Sequence, residues 1–386
     1  MLKQYLGATM SDHPINFDPI IAKTATPLKG RGAVSQIVGR FETQQVQQED
    51  DGWHQSEDTA PFKTQVSAEV AKTILTRNQS PDLPFSVSLN PYRGCEHGCI
   101  YCFARPSHAY LGLSPGLDFE SRLYAKINAA QLLRQELAQA NYVPLPIAVG
   151  VNTDAYQPCE KTWRITEQVI NVLNECQHPC GFITKSALIE RDIPVLAQMA
   201  QNNLVNVAIT ITTLDARLAR ILEPRAASPA RRLKTIARLA AAGIPVSVSV
   251  APIIPFVTEQ DLEAVLTASA EAGATRAGYT LIRLPWEINP LFQEWLQAHF
   301  PDRAERVMNR IRDTRGGKDN SYEFGARMKG EGIFADLIRQ RFSLCVKRLG
   351  LNNRQGFASV NCDLFRKPLA VPAKKNIHEG QRDLFG

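Results

Sequence analysis

The 386 residues are 44% hydrophobic and carry 44 Lys and Arg against 38 Asp and Glu, for a net charge of +6. One large domain with extensions fits that length and core content. A membrane protein is not expected: no apolar run approaches the roughly 18–20 residues that span a bilayer, and Met1–Tyr5 lacks the long apolar stretch expected of a secretory signal.

A cytoplasmic location is therefore expected. The mild basicity is compatible with a nucleic-acid partner without requiring one. Eight cysteines in such a chain favour metal binding over disulfides.

In chain order, residues 1–60 read as a mostly flexible arm, with an acidic stretch at Gln44–Asp51. Within it, Lys29-Gly30-Arg31-Gly32-Ala33 reads as a solvated strap over the main domain; the alternative is a basic arm that grips phosphate. Val66–Arg77 has a weak helical pattern. A strand–helix alternation then begins, expected to run over residues 61–285. Phe85–Leu89 is the first strand. Phe119–Ala140 reads as one helix, with Leu123, Ile127, Ala130, Leu133 and Leu137 on a single face.

Pro146–Asn152 is the second strand, Thr166–Cys176 a helix and Gly181–Thr184 the third strand. Ile193–Gln201 is helical, and the β-branched run Val205–Thr212 is the fourth strand. Ser228-Pro229 starts the next helix, with Ser as cap and Pro at the first turn. Pro245–Val250 is the fifth strand, and Thr258–Asp261 resembles a capping box. Arg276–Ile282 is the sixth strand.

Six short apolar strands separated by helices predict an α/β fold with a parallel, covered sheet. They are too few for an eight-unit barrel, so an open, partial (β/α)6 TIM-like barrel is expected. Glu287–Arg312 and Phe334–Leu349 form a helical C-terminal extension over residues 286–349, and residues 350–386 form a loose tail.

The first strand delivers Asn90–Arg105, with three thiols at Cys95, Cys99 and Cys102. A short loop with that spacing can bring each sulfur to a different iron of a cubane. A [4Fe–4S] cluster usually takes four thiolates; here one iron is left open for a small-molecule ligand. The alternative is a structural zinc site completed by His97 or His108, although zinc loops more often pair two C-x2-C units. Cys159, Cys176, Cys180, Cys345 and Cys362 show no second metal spacing.

The loop, with aromatic Tyr101 just before the third cysteine, resembles the signature of the radical S-adenosylmethionine (SAM) superfamily. The run on through Arg105–Gly112 is similar to a narrower bacterial branch related to spore photoproduct lyase. The resemblance implies a [4Fe–4S] cluster on Cys95, Cys99 and Cys102, with SAM on the open iron. It also implies a partial barrel whose chemistry collects at the C-terminal strand ends.

That rule picks out polar groups for SAM. Asn152, Thr153 and Asp154 end the second strand, the edge that the resemblance implies for the ammonium group, with a turn cap as the alternative. Lys185 ends the third and resembles the lysine that spore photoproduct lyase uses there, which implies a partner for the carboxylate. Thr212 and Thr213 end the fourth and suit the ribose hydroxyls, with Glu223 and Arg225 just beyond. Ile253 and Ile254 continue the fifth and suit the adenine.

The implied reaction is reductive cleavage of SAM to a 5′-deoxyadenosyl radical that abstracts hydrogen from a substrate. It needs an external one-electron reductant of the flavodoxin or ferredoxin kind. Relation to the lyase suggests damaged or modified DNA. However, Ala148–Asn152 lacks the thiol that enzyme uses as hydrogen donor, which argues against thymine-dimer repair; Cys159 lies in the next loop. The alternatives are a radical SAM enzyme acting on a peptide or small molecule, and a non-catalytic metal-binding protein.

At the C-terminus, Gln381, Asp383, Leu384 and Phe385 resemble the short peptide that bacterial DNA-associated proteins insert into the DNA sliding clamp. Asn361–Phe365 echoes it.

Overall fold

Ten strands follow one another in a computed structural model that describes residues 27–41, 63–353 and 360–368. They are β1 (Gln65–Glu69), β2 (Leu75–Arg77), β3 (Val87–Leu89), β4 (Tyr92–Arg93) and β5 (Arg122–Lys126). Then come β6 (Ile147–Val149), β7 (Cys180–Thr184), β8 (Val205–Thr210), β9 (Val246–Ile253) and β10 (Arg276–Leu281). The acidic stretch Gln44–Asp51 and the peptide Gln381–Phe385 lie outside the described residues.

The main sheet has the order β10-β9-β8-β7-β6-β3-β2. Strands β3, β6, β7, β8, β9 and β10 are parallel, and β2 adds an antiparallel edge beside β3. Strands β10 and β2 end the sheet without meeting, as expected of an open six-unit arrangement. Helices Ile165–Glu175, Ile193–Gln201, Pro229–Ala241 and Leu262–Glu271 separate the strands. One large apolar cluster joins strand residues such as Val149, Phe182, Val207 and Val248 to helix residues such as Val169, Leu196, Ile236 and Val265. Ser228 caps its helix by accepting from Arg231 N, with Pro229 in the first turn.

Four local expectations are corrected. Val66–Arg77 forms β1 and β2, because its residues pair with β5 and β3. Phe119–Ala140 is interrupted: Leu117–Ser121 is a short helix, Arg122–Lys126 is β5, and Ala129–Leu137 is the next helix. Leu123 and Ala125 are buried at a spacing of two, the period of a strand. β5 runs between β1 and β4 in a second, three-stranded sheet, so tertiary pairing overrides the helical stripe.

Thr258 caps nothing; its hydroxyl accepts from Ile254 N at 2.8 Å and so holds the loop after β9. The long helix expected over Glu287–Arg312 breaks at Pro301, which cannot continue the ladder, giving Ile288–His299 and Ala304–Asp313.

Two stretches expected to be loose are packed. In the N-terminal strap, Arg31, Gly32, Ala33 and Val34 are buried. In the tail, Leu364 and Phe365 pack against the main core, and Phe365 meets Tyr142 and His178 at ring distances of 5.4 and 5.2 Å. A second apolar cluster joins the extension to the cysteine loop. It contains Trp295, Phe292, Val307 and Ile311 with Ile100, Tyr101 and Ala33. Trp295 also donates to Ile221 O at 3.1 Å.

Candidate active site

The cysteine loop leaves β3 and β4 and is pinned on every side. Cys95 N donates to Phe119 O at 2.9 Å, and Ile100 N to Leu222 O at 3.1 Å. Gly94 and Gly98 take φ of +72° and +65°, a left-handed region that suits glycine. Gln157 donates to Gly94 O at 3.1 Å and accepts from Glu96 N at 2.8 Å.

Arg105 is fully buried and gathers the loop's carbonyls. Its guanidinium donates to Cys99 O at 2.9 Å, Gly98 O at 3.1 Å and Gly116 O at 2.8 Å. Its charge is met by Glu120 at 2.8 Å, itself fully buried. Glu120 also accepts from Gly32 N at 3.0 Å and Ala33 N at 2.9 Å, so one carboxylate ties the strap to the cysteine loop. The geometry therefore gives the Gly32–Ala33 segment a structural place above the loop.

Cys95 and Cys99 are buried, Cys102 is half-buried, and all three are free thiols. Burial pushes the Cys95 thiol well up, with Asp154 and the other two sulfurs adding to it. Burial also pushes Cys99 up to about 12, although Lys185 opposes the rise. Thiolates here need positive charge beside them, which a metal centre supplies.

A single ion does not fit the donor set. Among the described residues no three His, Cys, Asp or Glu side chains converge to hold one. Each of the two histidines considered for zinc commits one ring nitrogen elsewhere, while His108 Nδ1 is buried with no hydrogen bond among the described residues. His97 turns Nδ1 to Asp154 at 3.3 Å, and His108 Nε2 lies 2.9 Å from Arg122 O. The three free thiols of the loop, with no fourth protein ligand among the described residues, fit a cluster with one open iron.

Tyr101, the aromatic residue before the third cysteine, is buried among polar groups. Its hydroxyl donates to Glu223 and lies 3.2 Å from Thr212 Oγ1. Thr212 donates to the same Glu223 oxygen at 2.7 Å, and Arg232 pairs with the other. Burial works against the Glu223 charge, but Arg232 and Lys185 outweigh it and hold the carboxyl at about 2, below its ordinary 4.5. Arg232 escaped sequence reading, although it shares the inward stripe with Ile236 and Leu239 at helical spacing.

Asp154 is also held at about 2, below its ordinary 3.8: burial opposes its charge, and His97, Lys185 N and Thr184 outweigh that. Both acids carry a folded-state value below the unfolded one. Their stabilisation is present above pH 4.5 and 3.8 respectively and is lost as pH falls toward about 2. The melting temperature of metal-free protein should drop steeply across that window; a level profile would contradict the buried pairing.

The remaining predicted residues divide by what they already hold. Asp154 accepts from Thr184 Oγ1 at 2.7 Å, Tyr156 N at 2.9 Å and Lys185 N at 2.8 Å, besides meeting His97. Its carboxylate is occupied in shaping the loop. Thr153 is buried and donates to Tyr92 O at 2.9 Å. Asn152 N donates to Asn90 Oδ1 at 2.9 Å, which leaves the Asn152 side chain without a protein hydrogen bond among the described residues.

Thr213 donates to Asp261. Arg225 pairs with Glu96 at 3.1 Å and donates to Thr64 at 3.1 Å. Ile253 and Ile254 are buried where β9 ends. Lys185 differs: its ammonium makes no hydrogen bond or ion pair with the described residues, and its Nζ lies 5.8 Å from the Tyr101 ring centroid. Burial disfavours that charge, yet Cys99 and Glu223 more than offset the burial and raise its pKa.

A three-thiol loop at the C-terminal edge of an open parallel α/β sheet defines a cluster-binding partial barrel. Residues 89–268 match the family model of the radical SAM superfamily, so the chain contains a radical SAM domain. The superfamily uses a [4Fe–4S] cluster and SAM, the pair that the resemblance of the cysteine loop implies.

An uncharacterised Mycobacterium tuberculosis protein is 37% identical over 226 residues, 58% of this chain and 66% of that protein's length. An uncharacterised Methanocaldococcus jannaschii protein is 23% identical over 222 residues, covering 58% and 79% respectively. Among solved structures, spore photoproduct lyase complexed with dinucleoside spore photoproduct has a TM-score of 0.53 at 14% identity, over 74% of this chain and 80% of that one. A mutant of that lyase with bound AdoMet and dinucleoside spore photoproduct has a TM-score of 0.52 at 15% identity, with the same coverage. These likenesses establish the fold. Among the described residues no helix is long and apolar enough to cross a membrane.

Proposed function

We propose that this chain is a radical SAM enzyme acting on damaged or modified DNA. The observation that carries the chemistry is the juxtaposition at the strand ends. Among the described residues, three buried or half-buried thiols lack a fourth protein ligand, and the Lys185 ammonium beside them makes no hydrogen bond or ion pair, only a distant approach to the Tyr101 ring. When bound, the cluster and SAM together supply a 5′-deoxyadenosyl radical that takes hydrogen from the substrate.

The protein's part is to bind, orient and exclude water. Cys95, Cys99 and Cys102 hold the cluster. Lys185 pairs with the SAM carboxylate. The Asn152 side chain is the acceptor left at the β6 edge for the ammonium group, because Asp154 is taken up by His97 and Lys185 N. Thr212 faces the ribose, with Glu223 and Arg232 fixing its hydroxyl from below. Thr153, Thr213 and Arg225 shape the rim, and Ile253 with Ile254 forms the apolar wall for adenine. An external one-electron reductant completes the system.

DNA as substrate is supported by the net charge of +6 and by the lyase fold, whose solved form holds a dinucleoside photoproduct. Thymine-dimer repair is disfavoured: Ala148–Asn152 carries no thiol, and Cys159 packs into the main core. Clamp binding through Gln381, Asp383, Leu384 and Phe385 belongs to the same reading. The echo at Asn361–Phe365 does not serve it, because Leu364 and Phe365 are packed against the core.

Lys185→Gln should weaken SAM binding roughly 10- to 150-fold, the effect of losing one charge-assisted hydrogen bond. Equilibrium binding of SAM to reconstituted protein measures it. An unchanged affinity would remove Lys185 from the SAM site.

A further inference from the structure

A row of exposed rings lies along the strand-end side of the molecule, beside the cysteine loop. Tyr110 stands on the 3-10 helix Arg105–Leu111 that follows the loop, and Phe41 on the strap lies 4.9 Å from it. The Arg40 guanidinium is 5.4 Å from the Phe41 centroid and 4.3 Å from that of Trp286, which follows β10. Trp286 lies 5.6 Å from Tyr322, on the loop before helix Ala326–Lys329. Four rings and one guanidinium thus form a continuous track built from four separate segments. The rings are 69%, 53%, 50% and 55% exposed in that order.

Two features distinguish the track from scattered surface aromatics. Trp286 sits at φ +50°, a conformation that a bulky residue rarely adopts and that persists chiefly at binding sites. Its orientation is also held from the side, because Glu287 fixes Arg40 at 2.7 Å. Beside the track, Arg283 lies 5.9 Å from the half-exposed Phe103 ring, next to Cys102. Arg283 has no carboxylate partner among the described residues: Met328 Sδ at 3.7 Å is its contact, and its buried Nε has none. Lys318, exposed on the loop that carries Tyr322, is likewise without an ion pair among the described residues.

Rings interleaved with guanidinium, flanked by cations that make no ion pair among the described residues, match the requirements of an unpaired nucleic-acid strand. Bases stack on aromatic faces regardless of sequence, and phosphates take the cations. A protein partner would favour a contiguous apolar patch. We propose that Tyr110, Phe41, Trp286 and Tyr322 form a stacking track for single-stranded DNA, with Arg40 between the rings and Arg283 and Lys318 on the phosphates. This rests on the reading of DNA as substrate and adds where, and in what form, the strand is held.

The test is fluorescence anisotropy of a fluorescein-labelled oligothymidylate of about 16 nucleotides with reconstituted full-length protein. Wild type should bind with an affinity that falls steeply with salt. Trp286→Ala with Tyr322→Ala should weaken binding roughly 30-fold, from at least ~1 kcal/mol per lost stack. Phe41→Ala and Tyr322→Ala alone carry the test if the Trp286 change lowers the melting temperature. Equal binding by variants that melt like wild type would overturn the proposal. So would equal or tighter binding of a DNA duplex or an oligouridylate of the same length. SAM cleavage in a protein that ignores oligothymidylate would sink the track and leave the radical chemistry standing; oligothymidylate binding with SAM left intact would do the reverse.

Discussion

Cys99→Ala protein, reconstituted anaerobically with iron and sulfide, should show no cluster absorbance near the visible edge and should leave SAM uncleaved. The expected loss is essentially complete, because the donor set has no spare. Among the described residues no group of three or more His, Cys, Asp or Glu side chains offers an alternative metal site. The loop itself should survive the change. Cys99 contributes its carbonyl to Arg105 and Cys102 N, and alanine keeps that carbonyl. A lost cluster would therefore report on the missing sulfur and leave folding aside. Cys345→Ala serves as control: Cys345 lies on helix Gly332–Arg348 within the main core and should leave iron loading unchanged. Full iron content in Cys99→Ala would show that the loop is not the ligand set.

Glu120→Ala should destabilise the protein by about 3–5 kcal/mol, the cost of stranding a buried charge. Arg105 is fully buried and would lose its ion pair at 2.8 Å. The strap would lose two anchors at the same time, since Gly32 N and Ala33 N donate to the same carboxylate at 3.0 and 2.9 Å. There is little room for repair. A Cβ on Gly32 would stand 1.7 Å from Gly98 O, so strap and loop are in backbone contact there. Denaturant unfolding measures the stability change. Limited trypsin digestion at Lys29 and Arg31 measures release of the strap, with Glu120→Gln as a variant that keeps the shape and loses the charge. A change below about 1 kcal/mol would mean that Arg105 finds another partner.

Much of this was legible in the chain. Short apolar strands followed by Asn152, Lys185, Thr212 or Ile253 marked both a parallel sheet and the edge where chemistry collects. The three cysteines identified their loop by spacing alone. What stayed hidden depends on contacts between residues remote in sequence.

The sequence of β5 reads as helix because Leu123, Ile127, Ala130 and Leu133 fall on one helical stripe, and only pairing with β1 and β4 decides otherwise. The strap looked solvated because nothing local reveals that Glu120, 88 residues away, receives Gly32 N. Asp154 reads in sequence as an acceptor or a turn cap; that it receives Lys185 N and Thr184 and meets His97 depends on neighbouring strand ends. Arg232 is a buried charge that its own helix discloses, through its spacing from Ile236.

The central claim is a cluster with one iron that protein sulfur leaves open and SAM occupies. Electron paramagnetic resonance of the dithionite-reduced, reconstituted wild-type protein, recorded with and without SAM, tests it most directly. The account predicts a reduced [4Fe–4S] signal whose shape changes when SAM is added; a signal that SAM leaves unaltered would contradict it.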